Sequence, residues 1–323
     1  MKALRSFDKV LVTGATGFIG SQLIRRLART GCRLILLSRT RSGQRIEGLG
    51  EDARWIQCDL TDEKAVQRIF QKEKPTTVFH LAGTRGRGDE RGASVACAEL
   101  NFVATTKLLA AAMRAGVRRI VMTGSAEEYG TGELPFNESM PLNPISPYGI
   151  SKAMATNFAL ELHKDEGCPV VIVRPFTVYG PGQPRSMFVA EAIDCAVRNL
   201  DFQMSAGEQK RDLVFIDDTV RGLLAAGWVP QIEGSVINLG RGRSYRLREV
   251  AEMIWYLAGA RSRLLIGARP ASPEEACDTC ADRKLARKLL DWRPTVSMSM
   301  GLRVTINLAR EELAASKALC RAM

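Results

Sequence analysis

Short apolar runs of strand length alternate with stretches of helical periodicity through the first half of the chain. "KVLVTGA" leads into a predicted helix from Ile19 to about Thr30, and "RLILLS" and "ARWIQCDL" follow as strands. A second helix is predicted from Asp62 to Lys74, then the strand "TTVFHLAG", a long Ala- and Leu-rich helix reaching Ala115, and the strand "RRIVMTGS". A helix beginning near Pro147 precedes "PVVIVRPF". The strands are apolar at nearly every position rather than at alternate ones. Such strands are buried on both faces, and strand–helix alternation predicts a doubly wound α/β fold with a parallel sheet covered on both sides.

Beyond Phe176 the rhythm changes. "TVYGPGQPRS" is rich in Gly and Pro, and the later strands "FQM", "LVFI", "VINLG" and "LLIG" are short and widely separated. The expected division is a first domain over residues 1–176, rejoined by parts of 212–258, and a smaller α/β lobe built mainly from 177–323. An amphipathic helix from about Ser299 to Leu319 closes the chain.

Composition narrows the function classes. An apolar share of 46% in 323 residues is that of a globular protein with a sizeable core. No uninterrupted apolar stretch approaches bilayer-spanning length, and the N-terminal "MKALRSFDKVLVTGATG" carries no secretion signal, so a cytoplasmic protein without a membrane partner is expected. Eight scattered cysteines, among them Cys32, Cys58, Cys168 and Cys195, suit small buried thiols in a reducing compartment. "CDTC" at 277–280 lacks a second pair, and with His80 and His163 the only histidines no metal site is expected. The net charge of +11 points to anionic partners. Its arginines are dispersed and few aromatics accompany them, so a solvated basic surface is expected rather than a nucleic-acid interface, and phosphate-bearing small molecules would explain part of the charge equally well.

"TGATGFIG" places Gly14, Gly17 and Gly20 between the first strand and the first helix, with Thr16, Phe18 and Ile19 in the same turn. The first glycine permits the tight turn, the second lets backbone approach a pyrophosphate, and the third lets the helix pack closely. The helix N-terminus adds partial positive charge. At the end of the second strand stand Ser38 and Arg39, followed by Arg41, where a reader of NAD would present a carboxylate. A guanidinium and a hydroxyl suit a 2′-phosphate, so NADP(H) is favoured and NAD(H) stays possible.

"SPYGISK" sets Tyr148 and Lys152 one helical turn apart on one face, with Ser146 as a cap and Pro147 in the first turn. Ala155 and Ala159 continue that face and leave room for a bound molecule, while Ile150, Phe158 and Leu162 are expected toward the core. A neighbouring ammonium would lower the phenol's pKa and ready Tyr148 for proton exchange, and Ser125 would hydrogen-bond the same substrate oxygen.

Together these motifs resemble the extended short-chain dehydrogenase/reductases, within them the NAD-dependent epimerase/dehydratase family that acts on nucleotide sugars. The resemblance covers essentially the whole chain and implies a Rossmann domain and a homodimer. By it, Asp59 and Leu60 of "CDLTD" look like adenine contacts, and Leu81, Ala82 and Gly83 of "FHLAG" line the strand beneath the cofactor. Asn101 looks like the family's helix asparagine. "VRPFTVYGPGQ", with Pro175, crosses from cofactor to substrate, and "GEQKRDLVFIDDTVRG" carries Arg211 and Asp217. The implied substrate is a nucleoside diphosphate hexose, with Arg211 and Arg269 on its pyrophosphate. Thr177 stands where many relatives carry Asn. The alternative for Arg211 is simple pairing with Asp212.

The turn "GSAEEYG" bears on the reaction. Set against dehydratases of the family, Ser125 takes the threonine place, Ala126 the acid's place and Glu127 the base's place; Glu128 has no counterpart and is expected to be solvated. Glu127 would be the proton acceptor in an elimination, although Ala126 supplies no acid. A reductase needs only Tyr148 to protonate the new alkoxide, and "GSxEEYG" resembles 4-keto-6-deoxyhexose reductases. The order of expectation is therefore 4-ketoreductase, dehydratase and 4-epimerase, with a non-catalytic cofactor-binding scaffold as the reading of another class.

Overall fold

The structure, a computed structural model, describes residues 7–40, 48–50, 52–86, 90–270 and 278–322. Its main sheet is built from β1 (Lys9–Thr13), β2 (Arg33–Ser38), β3 (Ala53–Gln57), β4 (Thr77–His80), β5 (Arg119–Thr123), β6 (Val170–Pro175) and β10 (Val236–Leu239). The strands lie in the order β10-β6-β5-β4-β1-β2-β3. Every pairing in it is parallel. The strand order reverses between β1 and β4, so the crevice for a ligand opens at their carboxyl ends.

Alternation along the strands divides the core in two. Val10, Val12, Leu34, Leu36, Phe79, Val121, Val171 and Val173 face one cluster, while Leu11, Ile35, Leu37, Val78, Ile120, Met122, Val170 and Ile172 face the other. Each layer is closed by helices, α1 (Phe18–Ala28) on the first face and α2 (Glu63–Glu73) on the second. Asp62 caps α2 through the Ala65 N–H at 3.0 Å, and Lys74 ends it in the left-handed region.

The long helix foreseen to reach Ala115 is a continuous run: α3 (Glu90–Cys97), a π-helical stretch (Ala98–Val103) and α4 (Ala104–Arg114). Contrary to the expectation from the sequence, its span Gly92–Arg114 is apolar and long enough to cross a bilayer by those measures alone. Its inner face supplies core, with Ala104, Leu108, Leu109 and Ala112 wholly buried.

After β6 the chain builds two small sheets. β7 (Thr177–Tyr179), β9 (Lys210–Phe215) and β11 (Ser244–Arg246) form one; β8 (Phe202–Met204) and β12 (Leu264–Ile266) form the other. β10, carrying "VINL", returns to the edge of the main sheet beside β6.

Candidate active site

The glycine turn folds as its residues require. Gly14 adopts φ +67°, and a side chain there would place Cβ 2.7 Å from the Ala82 backbone nitrogen. A Cβ on Gly20 would run into the Gly14 carbonyl. No side chain caps α1, so its first backbone N–H groups are left for a ligand. Thr16, Phe18 and Ile19 are half-buried along this turn, Leu81 and Ala82 are half-buried behind it, and the Ala82 N–H donates to Thr13 Oγ1 at 3.2 Å. Uncapped helix, glycine cradle and switch point fit a dinucleotide.

At the end of β2 the residues expected to meet the adenosine already have protein partners. The Ser38 hydroxyl is engaged, accepting from Trp55 Nε1 at 2.7 Å and donating to the Thr40 carbonyl at 2.8 Å. Arg39 is exposed and acts electrostatically on Asp59, whose carboxyl is held below its ordinary value first by the Thr61 N–H and also by that guanidinium. Leu60 is buried beside it. Arg41 and Cys277 lie outside the described residues.

α5 (Pro147–Glu166) carries the tyrosine and lysine. Ser146 Oγ caps it, accepting the Gly149 N–H at 3.0 Å, and Pro147 sits in the first turn. The orientation expected of the helix holds at Leu162, which packs against the second core cluster, and fails elsewhere. Ala155 and Ala159 are buried in the second core cluster, so the small face is the packing face that brings α5 close to its neighbours. Ile150, Met154 and Phe158 instead point outward, at 46%, 43% and 39% exposure.

Tyr148 is half-buried, and its charge state departs from the expectation too. Burial pushes the phenol up to about 12, against the Arg85 guanidinium and a hydrogen bond with Ser125 that pull it down. The opposing cation is thus Arg85, whose Cζ lies 4.6 Å from the ring centroid. Lys152 is buried, its ammonium is pushed down to about 8 by that burial, and Nζ donates to the Thr123 carbonyl at 2.7 Å. A Cβ on Gly83 would lie 3.1 Å from Asn101 Oδ1 and 3.4 Å from Nζ, so both side chains stand close against that glycine.

Asn101 lies in the π-helical stretch, where an extra residue per turn is accommodated at functional positions. Its Oδ1 accepts the Thr84 N–H at 2.8 Å, and Nδ2 donates to the Thr84 carbonyl at 2.8 Å and to Ser151 Oγ at 2.9 Å. It ties the loop after β4 to α5. Below it His80 is hydrogen-bonded to Thr13 Oγ1 at 2.7 Å and Thr105 Oγ1 at 2.9 Å, and burial drives its pKa down to about 3, which keeps the ring neutral.

The two adjacent glutamates have separate fates. Glu127 is ion-paired through Oε1 with Arg85, and its Oε2 accepts Ser146 Oγ at 3.1 Å. Glu128 is not solvated: it is fully buried, with Oε1 accepting the Ser125 N–H at 2.7 Å and Oε2 accepting Arg174 Nε at 2.8 Å. Arg174 stacks over Tyr129 at 4.7 Å, and the Tyr129 hydroxyl donates to Asn238 Oδ1 at 2.8 Å. This buried network carries the turn that presents Ser125. Arg85, Arg174, Tyr129 and Asn238 were not singled out from the sequence. They are distant along the chain, and no spacing rule connects them.

On the substrate side, Thr177 is half-buried opposite Leu213, and Pro175 lies at the end of β6. Arg211 lies across from Tyr245 and donates from Nη1 to the Lys210 carbonyl at 3.1 Å. Asp212 is spoken for elsewhere: buried, it accepts from the backbone N–H groups of Arg241, Gly242 and Ala281 at 2.6, 2.8 and 3.0 Å. Arg269 is exposed and ion-paired with Glu191 at 3.4 Å.

With this geometry in place, known proteins of similar sequence and shape are informative. The UDP-glucose 4-epimerase of Mycolicibacterium smegmatis is 32% identical, over 94% of this chain and 99% of its own. The UDP-glucuronate 4-epimerase of Thermodesulfobacterium geofontis is 28% identical over 96% and 98%. The structure of MoeE5 in complex with UDP-glucose and NAD superposes with a TM-score of 0.85 at 31% identity, covering 94% of this chain and 99% of that one. The sequence pattern of the NAD dependent epimerase/dehydratase family matches residues 10–240, and the chain, with its glycine cradle and its serine, tyrosine and lysine, belongs to that family.

Proposed function

We propose that the protein is a 4-epimerase of UDP-hexoses. The observation that carries this reading is the state of Glu127. Its carboxylate is held by Arg85 and Ser146, so among the described residues the site offers an alcohol–ketone exchange group in Tyr148 and a Glu127 carboxylate that is already paired. That disfavours elimination. Ranking epimerase above ketoreductase reverses the expectation from the motifs; it rests on relatives and structural neighbours that are UDP-sugar 4-epimerases.

A nicotinamide dinucleotide in the crevice between β1 and β4 supplies hydride acceptance and return at one sugar carbon. Gly14, Gly17 and the α1 N-terminus hold its pyrophosphate, and Lys152 and Asn101 organise the floor beneath it. NAD is the cofactor favoured, because structural neighbours carry it. Tyr148, in the phenolate form that Arg85 favours, would take the proton of the C4 hydroxyl, becoming the neutral phenol, and would return it to the carbonyl oxygen after the ring has turned over. Ser125 hydrogen-bonds that oxygen throughout. Arg211 and Arg269 hold the diphosphate, Arg269 exchanging its partner Glu191 for phosphate oxygens. Thr177 borders the sugar.

The exposed strip Ile150, Met154 and Phe158, flanked by Val95 and Val103 at 53% and 42% exposure, is the face through which we infer a homodimer.

A second reading, reduction of a 4-keto-6-deoxyhexose with NADPH, keeps one specific support: Ser38 and Arg39, without a carboxylate, end β2. Incubation with UDP-glucose, UDP-glucuronate and 4-keto-sugar nucleotides, followed by NMR and mass measurement, separates the readings. A 4-epimer of unchanged mass with no net cofactor change supports epimerisation. NADPH consumption supports the reductase, and loss of one water supports a dehydratase. Tyr148→Phe should lower kcat by about 100-fold or more; unchanged turnover overturns all three.

A further inference from the structure

We propose that Arg85 is a positioning residue for Tyr148, holding the phenol ring against its guanidinium while Glu127 anchors that guanidinium to the start of the catalytic helix. The parts form a closed circuit. Arg85, in the loop after β4, lies 4.6 Å over the Tyr148 ring, a separation at which the ring's quadrupole attracts a cation. The same guanidinium pairs with Glu127 Oε1. Glu127 Oε2 accepts Ser146 Oγ at 3.1 Å, and Ser146 caps α5 through the Gly149 N–H at 3.0 Å. Tyr148 belongs to that first turn, so the circuit returns to the ring it began from.

The arrangement does two things. It fixes the ring so that its hydroxyl meets Ser125, and it sets a cation and an anion against the phenol with opposite effects. Arg85 favours the phenolate, whereas Glu127, and more weakly Glu128, disfavour it. Lys152 lies one turn along the same helix and directs its ammonium to the Thr123 carbonyl, and His80, which feels that ammonium, is neutral. Arg85 is therefore the residue whose removal shifts the balance most toward the neutral phenol. It also commits the Glu127 carboxylate to a structural pairing.

The inference rests on the reading of Tyr148 as the proton carrier, and its test is independent of turnover. 3,5-Difluorotyrosine at position 148 brings the phenol's titration into the range where the protein is stable, and 19F NMR follows it in the full chain. Arg85→Met should raise the midpoint by about one pH unit, Arg85→Lys should keep most of the original value, and Glu127→Gln should lower it. A purely structural loosening would move the Met and Gln variants in the same direction. That result, or an unchanged midpoint in Arg85→Met, overturns the proposal. If the midpoints shift as stated and no UDP-hexose is epimerised, the proposed reaction fails and the role of Arg85 stands. If epimerisation is observed and the midpoints do not shift, Arg85 alone is wrongly assigned.

Discussion

Replacing Arg174 by Met is the sharpest perturbation of the scaffold under Ser125. Arg174 and Glu128 are 3% and 0% exposed, and Arg174 approaches the carboxylate through Nε and Nη2, both at 2.8 Å. Methionine fills much of the volume and removes the charge. Glu128 would then lie buried with only the Ser125 N–H, at 2.7 Å, as partner. Breaking a buried pair from one side costs about 3–5 kcal/mol. Loss of the stacking of Arg174 on Tyr129, both buried, adds about 2 kcal/mol. With a urea m-value of about 3 kcal/mol/M, the unfolding midpoint should fall by about 2 M. The assay is urea unfolding followed by far-ultraviolet circular dichroism. Glu128→Leu combined with Arg174→Met removes both charges and should recover most of the loss, because no uncompensated ion remains. A single variant within about 0.5 kcal/mol of the parent, or a double variant no better than the single, would refute the account of this pair.

Gly14→Ala places a side chain against the Ala82 backbone at φ +67° and should abolish dinucleotide binding in calorimetric titration; retained affinity contradicts the crevice assignment. His80, whose pKa is depressed to about 3, stays neutral in the folded chain while its unfolded counterpart protonates near pH 6.5. Its contribution to stability is therefore complete above that pH and is lost as pH falls toward 3, at up to about 1.4 kcal/mol per unit. His80→Gln should flatten the dependence of the urea midpoint on pH between 4 and about 6.5, and an unaltered slope refutes the assignment. Phe158→Asp places a charge on the exposed apolar strip of α5 and should convert a dimer to monomers in light scattering. A dimer that persists shows association through another face.

Much of this molecule was legible before folding was considered. Both-face burial makes a strand apolar at every position, so "RLILLS" and "VVIVRP" identified themselves as central parallel strands. Local rules worked at Gly14, whose turn needs positive φ, and at Ser146 and Pro147, which start α5. Tyr148 and Lys152 share a helix face because four residues make about one turn. Periodicity did not fix which side of α5 meets the core: Leu162 packs against it as expected, whereas Ile150 and Phe158 are exposed and Ala155 and Ala159 are buried. Small residues mark close packing as readily as they mark space for a ligand, and only the docked position of α5 distinguishes the two.

The charges were decided by tertiary structure for a similar reason. Glu127 and Glu128 are neighbours in sequence, yet one is paired with Arg85 from the loop after β4 and the other is buried against Arg174 from β6. Neither arginine belongs to a motif containing its glutamate. The sequence by itself determined the strands, the cap of α5, the glycine cradle and the residue types of the candidate site, all set by interactions within a few residues. The partners of Glu127 and Glu128 and the cation over Tyr148 were decided only when separate strand ends converged, because electrostatic environment depends on distance in space and on exclusion of water, and neither is a property of sequence order.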